Sequence, residues 1–366
     1  MQANFDTISG NEKLSTEFII KHADAIWRFV RWNGGLPKCE CGCTELYRLK
    51  DGRYKCKHCG KIFSDTTNTI LHNSKIDKSK WLQVIYKMVI DKHVSVRELV
   101  SEIAVNKTTA WRMLHKVRMY MELEQVDFSG IAKIDEAHIG AWTNMHLKKK
   151  IEYMKQNGFM LTKDKRYNKR AILAASSNRK HHILSIVNER GKCKILHIKS
   201  QIDNDIIKQF VERYGITHII SDESKIYLNI DGVDVEQCNH SKHTYVSKNG
   251  HSSNACENRF SWTKRIFDLH THSSERYMQL YLTQIAYKIN QKNKTNKEKF
   301  FELVGLCMQG KMKLSEYQSN PWITYMEKPN TFIQETNRNK EIVEEIKTLG
   351  LDKIIKVADK YGNKLN

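Results

Sequence analysis

Residues 131–140 read IAKIDEAHIG, a β-type run with an acid in its middle. Side chains alternate between the faces of a strand, so Asp135 shares a face with Lys133 and Ala137, while Glu136 points the other way. A carboxylate inside an otherwise apolar strand is costly unless it is paired or binds a metal. Asp135 is therefore the first candidate functional residue.

Further β-type runs follow at 170–175 (RAILAA), 182–187 (HILSIV), 193–199 (CKILHIK) and 217–222 (THIISD). Residues 204–214 (NDIIKQFVERY) have helical spacing, and 254–292 read as helices. The pattern predicts an α/β domain with a mixed sheet over 126–296, and the lysine-rich stretch 147–170 reads as a solvated loop or insertion. Asp222 closes the strand THIISD, at the kind of strand end where α/β folds gather their sites. In NACENRFSWTKR, Asn254, Glu257, Ser261 and Lys264 lie within an arc of about 80° at about 100° per residue, with Phe260 on a more apolar side. A lone Asp at a strand end is more often a turn or cap residue, so the combination carries the inference. Three carboxylates from two strands and a helix suit two-metal phosphoryl chemistry. There, two Mg²⁺ (or Mn²⁺) ions roughly 3.5–4 Å apart serve the attacking and leaving oxygens. Lys264 would hold a phosphate. Glu136, Glu223, His138, His240 and His251 read as neighbours of such a site rather than primary ligands, because Mg²⁺ prefers a few oxygen ligands.

Upstream, the cysteines stand as Cys39-Glu-Cys41-Gly42-Cys43 and, twelve residues on, Cys56-Lys-His-Cys59-Gly60. Two short knuckles of thiols, each with a glycine to turn the backbone, suit a structural, tetrahedral Zn²⁺. Cys41, Cys56 and Cys59 are three ligands, and the fourth is Cys39 or Cys43. Cys39 is favoured because Cys41 then aligns with Cys59 relative to its glycine. Residues 37–65 thus form a small zinc ribbon, preceded at 1–36 by a helical lead-in with one helix over 14–32 that Gly34-Gly35 stops.

Residues 66–125 are helical in pattern. Ser95-Val-Arg-Glu98 is a capping box, with Val96, Leu99, Val100 and Ile103 as the buried stripe behind it. Asn106 then caps KTTAWRMLHKVRMYM, where Ala110, Leu114 and Val117 face inward. The outer face carries Lys107, Thr108, Arg112, His115 and Lys116. Basic and hydroxyl side chains on the second helix of such a pair suit the DNA major groove, although an ordinary helical hairpin gives the same stripes.

Composition points the same way. Lys and Arg outnumber Asp and Glu by 61 to 41, a net charge of +20 spread along the chain, which favours a polyanion as partner. Neither a signal peptide nor an apolar run long enough to span a membrane is evident, so a cytoplasmic, nucleoid-associated bacterial protein is expected, with its cysteines reduced and clustered for metal.

Together these residues resemble bacterial insertion-sequence transposases with an N-terminal zinc ribbon, a helix-turn-helix and a ribonuclease-H-like DDE domain. RFVRWNGG and RYKCKHCGKIFSDTTNTILHNSKIDKSKW are similar to that family's lead-in and ribbon exit. IDEAHIG, SDESKIY and HSSNACENRFSWTKR resemble its three acid motifs, and AYKIN its closing helix. The resemblance implies that Asp135, Asp222 and Glu257 are the DDE triad, and Asp222 and Glu257 stand 35 positions apart (257 − 222). It further implies double-stranded DNA as partner, both terminal inverted repeats and target, with at least a homodimer in the working complex. Residues 297–366 are expected to be a C-terminal helical tail. Two rivals remain at this stage: a zinc-ribbon DNA-binding regulator with an inactive nuclease-like domain, and a ribonuclease-H-like nuclease acting on RNA–DNA hybrids or junctions.

Overall fold

The chain divides into two units, Met1–Gln125 with Gln291–Asn366, and Val126–Asn290. The computed structural model describes residues 14–33, 36–139, 181–198, 202–238, 254–269 and 277–319. The expected strand at 170–175 and the loop at 147–170 lie outside the described residues.

In the first unit, α1 (Thr16–Lys21) and α2 (Ala23–Trp32) stand where one helix was expected. The break is at His22, whose φ of −113° is not helical. The apolar spacing runs through it unchanged, so Ile19, Ala23, Ile26, Trp27 and Val30 are all buried. Next come β1 (Leu46–Arg48), β2 (Tyr54–Cys56) and β3 (Ile62–Phe63), an antiparallel sheet in that order. Its inner face, Leu46, Tyr54, Cys56 and Phe63, packs with Trp32 and Cys39. Three helices follow: α3 (Lys78–Ile90), α4 (Val96–Ile103) and α5 (Lys107–Met121). Both bonds of the Ser95–Glu98 capping box start α4, and the Asn106 side chain accepts the Thr109 N–H at 2.8 Å to start α5. Between them Ala104 takes the left-handed conformation at φ 50°. Leu99, Ile103, Ala110, Leu114 and Val117 are buried, as their spacing predicts, whereas Val96 and Val100 of the expected stripe are only half-buried.

Among the described residues, the second unit is a mixed five-stranded sheet with helices. Its elements are β4 (Gly130–Ile139), β5 (His181–Asn188), β6 (Cys193–Ile198), α6 (Asn204–Tyr214), β7 (Ile216–Ser221), β8 (Asp234–Gln237), α7 (Asn254–Leu269) and α8 (Met278–Asn290). The strand order is β6-β5-β4-β7-β8. β5 is antiparallel to β4 and β6, whereas β7 is parallel to β4 and β8 to β7. α6 has the bounds its sequence predicts, because Asp203 caps its first turn and Gly215 ends it in the left-handed region. On one face of the sheet Ile183, Val187, Cys193 and Ile195 form a core with Cys256 and Phe260 of α7 and Met278, Leu282 and Ile285 of α8. The other face, with Ala132, Ile134, Leu184, Ile186, Leu196 and Ile219, is buried too.

The β6 edge is closed by side-chain amides. Asn290 donates to the Cys193 carbonyl at 2.9 Å and accepts its N–H at 2.7 Å. Gln279 donates to the Ile195 carbonyl at 3.0 Å and accepts the His197 N–H at 2.8 Å. Each amide stands in for the backbone of a further strand, so a buried edge keeps its hydrogen bonds.

The chain then rejoins the first unit through α9 (Asn296–Leu306) and α10 (Leu314–Ser319). α9 packs on α2 and α3, and the Cys307 carbonyl accepts the Ile70 N–H at 2.9 Å. Tyr120 donates to the Gly310 carbonyl at 2.7 Å and Tyr317 to Glu122 at 2.9 Å. Among the described residues, no helix is long and apolar enough to cross a membrane.

Candidate functional site

The sheet register brings two of the acids side by side. β4 and β7 run parallel, with Lys133 opposite Ile220 as the last recorded pair. Two residues further along each strand stand Asp135, still within β4, and Asp222, the first residue past β7; both are half-buried. Asp135 pairs across β5 with Ser185, whose carbonyl lies 4.0 Å from the Cys256 sulfur of α7. The negative charge of Asp135 reaches that buried thiol, which burial, the larger cause, already pushes far up. α7 is thus seated over the Asp135 row with Cys256, Phe260 and Thr263 inward. Asn254 and Glu257 belong to this helix, but their side chains lie outside the described residues. Lys264, seven positions after Glu257, is exposed.

Glu136 faces away, as alternation predicts, and accepts a hydrogen bond from the Tyr227 hydroxyl. Burial raises its carboxyl, and the charge of Asp222 adds to the effect. The Tyr227 phenol is itself pushed well up by burial and by the charges of Glu136, Asp135 and Asp222. One phenol therefore senses all three acids. His240 and His251 lie outside the described residues, as does the His138 side chain; Glu223 is exposed in the loop after Asp222.

In the first unit, the sulfurs of Cys39, Cys41, Cys56 and Cys59 lie within 4.8 Å of one another. Cys39 and Cys59 are 3.5 Å apart, and Cys41 and Cys56 3.6 Å. A tetrahedron of about 2.3 Å metal–sulfur bonds has edges of about 3.8 Å, so the cluster suits such an ion with little adjustment. Gly42 (φ 88°) and Gly60 (φ 70°) turn the two knuckles in a region that side chains disfavour. The Cys59 amide, donating at 3.5 Å, leads the bonds that hold the Cys56 thiol down at about 6. The Cys43 amide favours the Cys41 thiolate, yet lost solvation and the adjoining thiols push Cys41 up to about 12. Four sulfurs this close need a cation before all can ionise. Cys43 stands apart from the four, its thiol 3.6 Å from the Glu45 carbonyl.

On α5, Lys107, Thr108 and Arg112 are exposed. His115 corrects the expectation of an outward side chain: it is 1% exposed, its ring 4.1 Å from that of Trp111. Burial, with Arg118 beside it, holds its imidazole at about 3 and so neutral. Lys116 is only half-exposed, and its ammonium donates to the Ile70 carbonyl at 3.2 Å.

Residues 127–290, nearly the whole of the second unit, match the family model of the ISXO2-like transposase domain. Over these residues the chain is similar to insertion-sequence transposases. A further similarity, 28% identity over 116 residues, is to an uncharacterized protein in transposable element ISH50 of Halobacterium salinarum. It covers 31% of this chain and 39% of that protein, so the chain spans about two fifths of its relative. Within the matched residues, β4, the exit of β7 and α7 carry the candidate acids.

Proposed function

We propose that the protein is a DNA transposase that binds the terminal inverted repeats of its element and performs metal-dependent cleavage and strand transfer at Asp135, Asp222 and Glu257. The observation that carries this reading is the register of the parallel strands β4 and β7, which sets Asp135, within β4, beside Asp222, the first residue past β7, in a stretch that matches a transposase-domain family model. The strand order, three antiparallel strands followed by two parallel ones, supports a ribonuclease-H-like fold. Two half-buried carboxylates, Asp135 and Asp222, beside an otherwise apolar sheet offer the hard oxygen donors that fit Mg²⁺ or Mn²⁺. When bound, two such ions supply an activated oxygen nucleophile and charge stabilisation at the scissile phosphate. The carboxylates hold the ions, and Lys264 contacts a DNA phosphate. Water would then displace the 3′ oxygen of a phosphodiester to free a 3′ hydroxyl, and that hydroxyl would attack a target phosphodiester in turn, breaking its bond to the target's 3′ oxygen, which leaves as a new 3′ hydroxyl. In the first unit Cys39, Cys41, Cys56 and Cys59 hold structural Zn²⁺, and α4 with α5 reads duplex DNA through Lys107, Thr108 and Arg112, Lys116 contributing from its half-buried position. Joining two ends calls for at least two copies of the chain.

The test is a strand-transfer assay with the zinc-loaded full chain, Mg²⁺, and labelled DNA carrying the inverted repeats that flank its gene. Joined product is expected from the wild type and none from Asp222→Asn. Cleavage of an RNA–DNA hybrid without any joined product would replace the reading with a simple nuclease.

A further inference from the structure

Asp222 lies just past the end of β7, so no ladder bond of the sheet fixes it. Its position depends on the loop that follows. Its own Oδ1 accepts the Ser224 N–H at 3.0 Å, closing a local turn. Gln237, on β8, donates to the Ser224 carbonyl at 2.9 Å, and Asn204, at the start of α6, donates to the Ile226 and Leu228 carbonyls at 2.9 and 2.8 Å. Those bonds anchor the loop to its own side of the sheet. The bond from the Tyr227 hydroxyl to Glu136 reaches further, to β4, the strand that carries Asp135.

We propose that Tyr227 and Glu136 form a latch that sets Asp222 relative to Asp135, making both positioning residues for the divalent-metal site. The inference rests on the metal-site reading above. Tyr227 is 0% exposed, so its ring cannot swing without opening the core, and its hydroxyl ends on a half-buried carboxylate. Adjacent residues of one strand therefore serve two ends of one device: Asp135 faces the site, and Glu136, on the opposite face, fastens the loop that brings the second acid. Residues that orient metal ligands characteristically cost 10–100-fold in metal affinity or activity when removed.

The experiment uses the zinc-loaded full chain and two readouts: Mn²⁺ binding, followed by the paramagnetic resonance of free Mn²⁺, and amide hydrogen exchange of the peptide spanning 222–228. Tyr227→Phe keeps the ring and loses the bond. It should weaken Mn²⁺ binding roughly 10-fold and speed exchange in the loop, with little change in melting temperature. Glu136→Ala should do the same. Glu136→Gln, whose carbonyl still accepts from the phenol, should restore both readouts, and because Glu136 also meets the Ser224 side chain, the double variant Tyr227→Phe, Glu136→Ala should be no worse than Glu136→Ala alone. Unchanged Mn²⁺ affinity in Tyr227→Phe, or equal losses in Glu136→Gln and Glu136→Ala, would overturn the latch. If the wild type binds no Mn²⁺, or Asp222→Asn binds it as well, the metal-site reading fails first, and the positioning role with it.

Discussion

The thiol cluster and the acids of β4 and the β7 exit are both candidate ligand sets drawn from distant positions, and the protein holds them in opposite ways. Around the thiols β1, β2 and β3 contribute only three, three and two residues, and two of the sulfurs, Cys39 and Cys56, belong to the buried core itself. So small a sheet cannot bury enough apolar surface to stand alone. Around Asp135 the opposite holds. The sheet is buried on both faces and closed along β6 by side-chain amides, so the acids sit on a scaffold that does not need them. One set of ligands is part of the fold; the other is carried by it.

Removing the thiols' metal should have the largest effect. Structural zinc contributes apparent binding free energies of about 10–16 kcal/mol in small domains. Chelation, or Cys39→Ser, should therefore unfold residues 36–65, seen as rapid amide exchange there while β4–β8 stay protected. Cys43→Ser should leave one zinc per chain. A ribbon that keeps its protection after chelation would erase the contrast.

Next in size is Asp135→Asn. Cleavage of end DNA should fall by roughly 10³-fold, a loss comparable to removing a main electrostatic stabiliser. The melting temperature should not fall, because the change is isosteric and removes one of three neighbouring negative charges. A variant that melts several degrees lower would make Asp135 structural. Smaller again, Asn290→Ala removes the amide that bonds the Cys193 N–H and carbonyl and should cost about 1–3 kcal/mol. That would lower the unfolding temperature of the transposase domain while zinc content stays the same. No change would mean that the β6 edge is not what keeps the scaffold independent of its ligands.

Much of this contrast was legible in the sequence, and the misses have physical causes. The strands around Asp135, the bounds of α6 and the Ser95–Glu98 capping box follow from alternation and local caps, which act within a few residues. The break at His22 did not show, because apolar spacing continues through it. His115 was misread because a neutral imidazole stacked on Trp111 satisfies a buried site that its residue type does not advertise. β8 was missed because Asp234–Gln237 is short, polar and only partly buried, with no alternation to find. The latch partner Tyr227 and the edge-closing amides Gln279 and Asn290 act across tens of residues, beyond the reach of any local pattern.

The return of α9 to α2 and α3 bears on how the protein is made. Ile70, Tyr86 and Tyr120 leave the ribosome long before Cys307, Phe300 and Gly310, which complete their surroundings. The entire transposase domain is synthesised in the interval. The unit that would grip DNA is thus finished last, and a polypeptide released anywhere between residues 126 and 290 would carry an N-terminal region whose hydrophobic interior has lost its lid.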